Sequence, residues 1–248
     1  MYQKILHILQ RIIRHLQIRP TVLLFKSDIS DYQKLNNTGR FPINNQDLLP
    51  CLNDKTKQTF FDTHYIYHPA WAARILKNIN PNKHIDISST LSFCSVISAF
   101  IPTEFYDYRP ADIRLSNLVS TSADLTALPF IDNSIESLSC MHTIEHIGLG
   151  RYGDKLAPDG DLIAINELKR VLKKSGNLLI VTPVGKPRLQ FNAHRIYSYE
   201  MILSHFQGFK LKDFSLVTDS GIFNSPSNSN DVENQSYGCG CFWFEKLY

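Results

Sequence analysis

Residues 84–107 read HIDISSTLSFCSVISAFIPTEFYD. An apolar run ends at one acid, Asp86. A helix-like segment follows, and a second run ends at another acid, Asp107. Strands joined by a helical crossover pair in parallel, and parallel sheets are covered on both faces. The turn after Asp86 carries Ser88, Ser89, Thr90 and Ser92. These residues cap helices and exchange hydrogen bonds, but unlike glycine they bring a Cβ and resist positive φ.

The alternation continues toward the C-terminus. The pattern predicts strands near 84–88, 103–108, 118–122, 135–142, 177–182, 209–218 and 238–246, with helices near 90–100, 161–174 and 198–206. Such alternation implies an α/β, Rossmann-like, doubly wound fold with a mostly parallel seven-stranded sheet. The last two strands, KLKDFSLVT (210–218) and GCGCFWFEK (238–246), enclose a Ser/Asn-rich loop and are expected to form an antiparallel edge pair. Ligands of open sheets bind at the carboxyl ends of the strands, where strand order reverses.

Toward the N-terminus, HYIYHPAWAARILKNINP (64–81) predicts a helix after Pro69, with Trp71, Ile75 and Leu76 facing a core. Residues 26–62 are rich in polar side chains, and 21–64 read as an irregular connecting segment, so the main domain is expected over 65–248. Residues 1–20 form a basic amphipathic helical extension. Ile5, Ile8, Leu9, Ile12, Ile13 and Leu16 share one face, Lys4, His7, Arg11 and Arg14 the other, and Pro20 ends the pattern. A helix of this kind lies on an anionic membrane surface or docks on its own domain or a partner.

The chain has 248 residues, of which 43% are hydrophobic, enough for a substantial core. Net charge is +3 overall against +4 for residues 1–20, which leaves −1 for the rest. A nearly neutral body argues against nucleic acid as a partner. No run of about 18 apolar residues predicts a membrane span, and the N-terminus lacks a signal-peptide pattern. Five scattered cysteines, Cys51, Cys94, Cys140, Cys239 and Cys241, point to reduced thiols in a cytoplasmic protein. Cys239 and Cys241 alternate along a strand and so share one face, which favours core packing over metal or redox chemistry.

Four features in chain order carry a family resemblance. They are the strand–acid–turn at Asp86, the acid Asp107, the run SADLTALPFIDNSIESLSCMHTIEHI (122–147) and the run ELKRVLKKSGNLLIVTP (167–183). Over roughly residues 65–248 the chain resembles the class I methyltransferases that use S-adenosylmethionine. In that family the first acid opens an Asp-x-Gly-x-Gly-x-Gly turn against the cofactor; here Ser88, Thr90 and Ser92 take the glycine positions. The resemblance implies a cofactor site made of Asp86, Ser88, Ser89, Asp107, Asp124 and Leu125. In it Asp107 binds the ribose hydroxyls and Asp124 the adenine amino group. A carboxylate suits a vicinal diol because it accepts two hydrogen bonds. Asp86 either holds a ligand amine or anchors the turn. Within the superfamily the chain resembles an uncharacterised bacterial group, the domain of unknown function 268 family. The likeness lies in HYIYHPAW, the Asp-Ile-Ser-Ser turn, Asp-Tyr-Arg-Pro and HTIEHIGLGRYGD (142–154). Members often lie among genes for surface polysaccharide synthesis, which implies a saccharide or glycolipid substrate.

HTIEH (142–146) also fits the His-x-x-Glu-His pattern of inverted zinc proteases, in which both histidines lie on one helix. Here the motif follows an apolar strand, so His142 is expected at a strand end and no metal site is assigned. In the methyltransferase reading His142 is the candidate general base, since its ordinary pKa lies near neutrality. Glu145, His146, Arg151, Tyr152, His194 and Arg195 are the candidate substrate residues, from the loops that follow the fourth and fifth strands. Arg195 either grips an anionic group or ties its loop to the body. The expected activity is methyl transfer. The rival is a non-catalytic binding module on the same fold, with a zinc hydrolase behind it.

Overall fold

The computed structural model describes residues 20–248, in two units that part between Phe60 and Phe61. In the first unit α1 is described over 20–35, and a 3-10 turn follows at Asn45–Asp47. The amphipathic helix expected over residues 1–20 lies outside the described residues, apart from Pro20, the first of them, which is helical. The irregular segment expected from residue 21 is therefore helical through 35. Polar composition alone does not exclude a helix. Lys, Gln and Leu are good helix formers, and pairs one turn apart add support, as between Lys34 Nζ and Asp31 Oδ1 at 3.0 Å.

The second unit opens with α2 (Thr63–Ile79). It starts six residues before Pro69 because Asp62 caps it, its side chain accepting the Tyr65 N–H at 3.1 Å. Pro69 thus sits inside the helix, not ahead of it as expected. Strand β1 (His84–Ile87), α3 (Leu91–Ile97) and β2 (Thr103–Asp107) reproduce the strand–helix–strand reading of 84–107. The chain continues through β3 (Leu118–Ser122), β4 (Ile135–Met141), a 3-10 turn (Ile144–His146), α4 (Gly160–Val171) and β5 (Leu172–Val184). A ribbon of β6 (Arg188–Gln190) and β7 (His194–Ile196) precedes α5 (Tyr199–His205). The remainder is β8 (Phe209–Val217), β9 (Phe223–Asn224), α6 (Ser229–Glu233) and β10 (Gly238–Lys246).

Among the described residues eight strands form one sheet, ordered β3-β2-β1-β4-β5-β10-β8-β9. The first five are parallel, and β10 runs antiparallel to both neighbours. The fold is the Rossmann-like, mostly parallel α/β class expected. The antiparallel edge pair expected of the last two strands is β8 and β10, with β10 on the inner side. One detail differs from the sequence reading: the two-residue β9 adds an eighth strand. Periodicity identifies strands but carries no information on their lateral order, which long-range pairing decides.

Alternation along buried strands splits the core in two. Leu178 and Ile180 of β5 join Phe242 and Phe244 of β10 beneath α4 and α5. Leu179 and Val181 join Cys239 and Cys241 beneath α2 and α3. Strand order reverses between β1 and β4, so the crevice at their carboxyl ends is where a ligand belongs. No described helix is long and apolar enough to cross a membrane.

Candidate functional site

The turn after β1 is fastened by its own hydroxyls. Ser88 takes φ +55°, the left-handed conformation a glycine would occupy. Its N–H donates to the Tyr106 carbonyl at 2.8 Å and its Oγ to the same carbonyl at 3.3 Å. The Ser89 Oγ accepts the Met141 N–H at 3.0 Å, and the Thr90 Oγ1 caps α3 by accepting the Phe93 N–H at 3.3 Å. Thr143 Oγ1 closes the turn from the β4 side, donating to the Ser88 carbonyl at 2.9 Å.

Asp86 anchors this turn from below. It is fully buried, accepts the Ser89 N–H at 3.0 Å through Oδ1, and accepts the Ser139 hydroxyl through Oδ2. Burial raises its pKa to about 6, against the opposing effect of the hydrogen bonds from Ser139 and Ser89. Ser139 also lies 2.8 Å from His84 Nε2, whose Nδ1 is 2.8 Å from Ser137 Oγ. Burial lowers the His84 pKa to about 3, so this imidazole is neutral.

Above the turn opens a cleft of about 680 Å³, within the size range of cofactor sites. Of the residues singled out in the sequence, Ser88, Ser89, Asp107, Asp124, Leu125, His142, His146 and Tyr152 line it. Asp107 is the last residue of β2, and Asp124 stands just after β3. Asp107 Oδ1 accepts the Arg109 N–H at 2.7 Å, and Asp124 Oδ1 accepts the Thr126 N–H at 2.8 Å and its hydroxyl at 2.6 Å. Each carboxylate keeps Oδ2 for a ligand, which fits the diol and amine roles implied by the resemblance.

Asp86, Glu145, Arg151, His194 and Arg195 do not line the cleft. Arg195 is structural: it donates to the carbonyls of Ile147 at 2.7 Å and Pro158 at 2.8 Å and pairs with Asp161 at 3.4 Å. Arg151 donates to the Ala193 carbonyl at 3.1 Å. The His194 ring packs on Tyr237, with centroids 4.9 Å apart.

His142 emerges from β4 with φ +55° and a buried ring. Both nitrogens are occupied: Nδ1 lies 3.0 Å from Glu145 Oε1, and Nε2 lies 3.4 Å from Cys239 Sγ. Burial opposes the imidazolium, but Cys239 and the Glu145 carboxylate outweigh it and hold the pKa above its ordinary value. The Cys239 thiol is itself kept protonated by burial, so at neutral pH the carboxylate is the effective cause. His142 therefore offers no lone pair to the cleft, and the general-base role expected for it is not supported by this geometry. Nor do His142 and His146 form the zinc pair of an HTIEH protease. Ile144–His146 is a 3-10 turn, and His146 Nδ1 lies 2.6 Å from the Ala193 carbonyl. Among the described residues the histidine, cysteine and acidic donors that converge are His64, His142 and Cys239.

The glycine-rich loop after HTIEH is built, not merely solvated. Asp154 accepts the N–H groups of Gly148 at 2.8 Å, Gly150 at 3.3 Å and Tyr152 at 3.2 Å. Burial would raise its pKa, but these amides outweigh that effect and lower it. Gly148 has φ +80°, and a Cβ there would lie 2.1 Å from the Ala157 carbonyl oxygen, so only glycine fits. Tyr152 sits under two guanidinium groups, Arg109 at 4.8 Å and Arg151 at 5.1 Å. Tyr65 and Arg109 line the cleft but had no role in the sequence reading. The aromatic density of HYIYHPAW and the basic residue after Asp107 were the signals available.

Comparison with known proteins agrees with this fold. A putative methyltransferase from Bacillus halodurans superposes with a TM-score of 0.53 at 14% identity, over 73% of this chain and 99% of that one. The 1,6-didemethyltoxoflavin-N1-methyltransferase of Burkholderia thailandensis, solved with S-adenosylhomocysteine, gives 0.53 at 10% identity, over 73% and 79%. An uncharacterized protein of Methanocaldococcus jannaschii is 28% identical over 109 residues, 42% of this chain. The chain spans 41% of the length of that curated relative. The family described as "Caenorhabditis protein of unknown function, DUF268" matches residues 101–233. Its description names Caenorhabditis and not the bacteria expected from the resemblance. The match begins after α3, so HYIYHPAW and the serine turn lie outside it. With more than half of its residues matched, and a fold consistent with that match, this chain belongs to the DUF268 family.

Proposed function

We propose that this protein is an S-adenosylmethionine-dependent methyltransferase whose cofactor turn has been rebuilt in serine and threonine. The observation that carries the reading is the cleft at the reversal of strand order. It brings Ser88 and Ser89 beside Asp107 and Asp124, two acids that each leave one carboxylate oxygen unpaired. Ser88, Ser89 and Leu125 would shape the pocket, Asp107 would accept the ribose hydroxyls, and Asp124 would accept the adenine amine. Asp86 supports them from beneath. When bound, the cofactor supplies a sulfonium-activated methyl group.

The remaining work is positioning and proton transfer. Transfer of that group would need an acceptor oxygen or nitrogen held in line with it, so the task of the cleft is to exclude water and orient the acceptor. His146 is the better candidate for its proton. The 2.6 Å contact with the Ala193 carbonyl requires a hydrogen on Nδ1, so in the neutral ring Nε2, 3.8 Å from Glu145 Oε1, carries the lone pair. A saccharide or glycolipid acceptor suits the cleft, whose wall mixes the aromatic rings of Tyr65, Tyr108 and Tyr152 with Arg109 and Lys155. The cytoplasmic location, a peripheral membrane contact through residues 1–20 and the lack of a nucleic-acid partner belong to this reading as well.

One observation favours a second reading, a non-catalytic binding module: the Ser88 Cβ stands in a conformation that the cofactor turn reserves for glycine. Calorimetry with S-adenosylmethionine and S-adenosylhomocysteine separates the two. Saturable binding of both supports the methyltransferase. No binding at millimolar concentration rejects it.

A further inference from the structure

Three donors from distant parts of the chain meet beside the cleft: His64 in the first turn of α2, His142 just after β4, and Cys239 in β10. One ligand atom of each lies within 4.8 Å of the other two. Nε2 of His142 and Sγ of Cys239 are 3.4 Å apart. Zinc–sulfur bonds of about 2.3 Å and zinc–nitrogen bonds of about 2.0 Å at a tetrahedral angle give an edge of roughly 3.5 Å.

We propose that His64, His142 and Cys239 form a binding site for a zinc-class divalent cation. The surroundings support this assignment independently of methyl transfer. Glu145 Oε1 lies 3.0 Å from His142 Nδ1, the arrangement in which a carboxylate orients a ligating imidazole and fixes Nε2 as the donor. The His64 ring is stacked on both faces. It lies between His142, with centroids 5.7 Å apart, and Tyr237 at 5.4 Å, and its nitrogens make no hydrogen bond among the described residues. Cys239 is fully buried and absent from the cleft wall. A nucleophilic Cys–His–Glu triad would need that sulfur exposed to substrate, and a plain thiol–imidazole hydrogen bond gives His64 no part. Thiolate and imidazole together select zinc over magnesium or calcium. On binding, the Cys239 thiol and the Nε2–H of the His142 imidazolium each release a proton to solvent, and the sulfur becomes the anionic ligand. His142 presents the Nε2 lone pair while Nδ1–H stays donated to Glu145. Three protein ligands leave a fourth position open. His68 is a buried neighbour, its ring centroid 5.1 Å from that of His142 and its Nε2 without a partner, but it lies outside the converging group.

The test uses the full chain, purified from zinc-supplemented culture and assayed by mass spectrometry for metal, then stripped and titrated with cobalt(II). The expected result is about one zinc per chain and a cobalt spectrum with thiolate charge-transfer absorption. Cys239→Ser should abolish that absorption, and His64→Ala should weaken zinc binding by more than about tenfold. Cys51→Ala, which removes the exposed thiol, should keep both signals. A wild-type chain with neither zinc nor a thiolate–cobalt band overturns the proposal. So does full retention of both in Cys239→Ser and His64→Ala. If Cys239→Ser does not fold, the wild-type cobalt titration decides alone.

Discussion

The Ser89 hydroxyl accepts the backbone N–H of Met141 at 3.0 Å, a bond that spans 52 residues and fastens the turn after β1 to the last residue of β4. Ser89→Ala leaves that amide without its partner in a part-buried place. The loss should be about 1–3 kcal/mol of stability in urea unfolding. Ser88→Gly should act in the opposite direction. It relieves a left-handed serine of about 1 kcal/mol and opens the turn, so affinity for S-adenosylhomocysteine should rise. Lower affinity in Ser88→Gly would mean that the serine side chain is part of the ligand site.

Asp107 and Asp124 provide the sharpest check of the proposed pocket. If their unpaired oxygens take the ribose and adenine, Asp107→Asn and Asp124→Asn should each weaken S-adenosylhomocysteine binding by about ten- to a hundredfold in calorimetry. Folding should be unaffected, since Asp107 ends β2, Asp124 follows β3, and both side chains line the cleft.

His84 and Asp86 should give opposite pH dependences although both contact Ser139. The His84 pKa is lowered to about 3, so its contribution is present above 6.5 and is lost as pH falls. The Asp86 pKa is raised to about 6, so its contribution is present below the ordinary carboxylate range and is lost as pH rises. Between about pH 4 and 6 each has a slope near 1.4 kcal/mol per unit, and the two offset. Relative to wild type, His84→Gln should lose stability as pH rises through that window and Asp86→Asn should gain it. Denaturation curves at several pH values that run parallel for all three proteins would refute this pairing.

Arg195 should prove structural. Removing its guanidinium strands the buried Asp161 carboxylate and the Ile147 and Pro158 carbonyls. Arg195→Ala should cost about 3 kcal/mol in thermal or urea unfolding. Its affinity for S-adenosylhomocysteine, measured below the transition, should match wild type. A selective loss of ligand affinity without loss of stability would restore the anion-gripping role.

Much of the fold was legible because periodicity is local. HIDI, TEFYD and IESLSCM are short apolar runs bounded by acids or turn residues, and each became a parallel strand. Reading Pro69 as a helix start failed because Asp62, seven residues earlier, supplies a cap that pattern reasoning did not weigh. The irregular reading of 21–64 missed α1 because it weighed the polar clusters further along, whereas 21–35 itself carries Val22, Leu23, Leu24, Phe25, Ile29 and Leu35.

Spacing within a few residues set the order of the main strands and helices and the shared face of Cys239 and Cys241, while the family resemblance marked the two acids that end up at the cleft, Asp107 and Asp124. The tertiary structure alone decided that β10 lies inside β8. It alone turned Asp86 under the turn while Asp107 and Asp124 face the cleft, and it alone occupied both nitrogens of His142. The reason is distance along the chain. Met141 needs Ser89, His84 needs Ser139, and His142 needs Cys239, 97 residues away. No local period encodes a partner that folding brings from another strand.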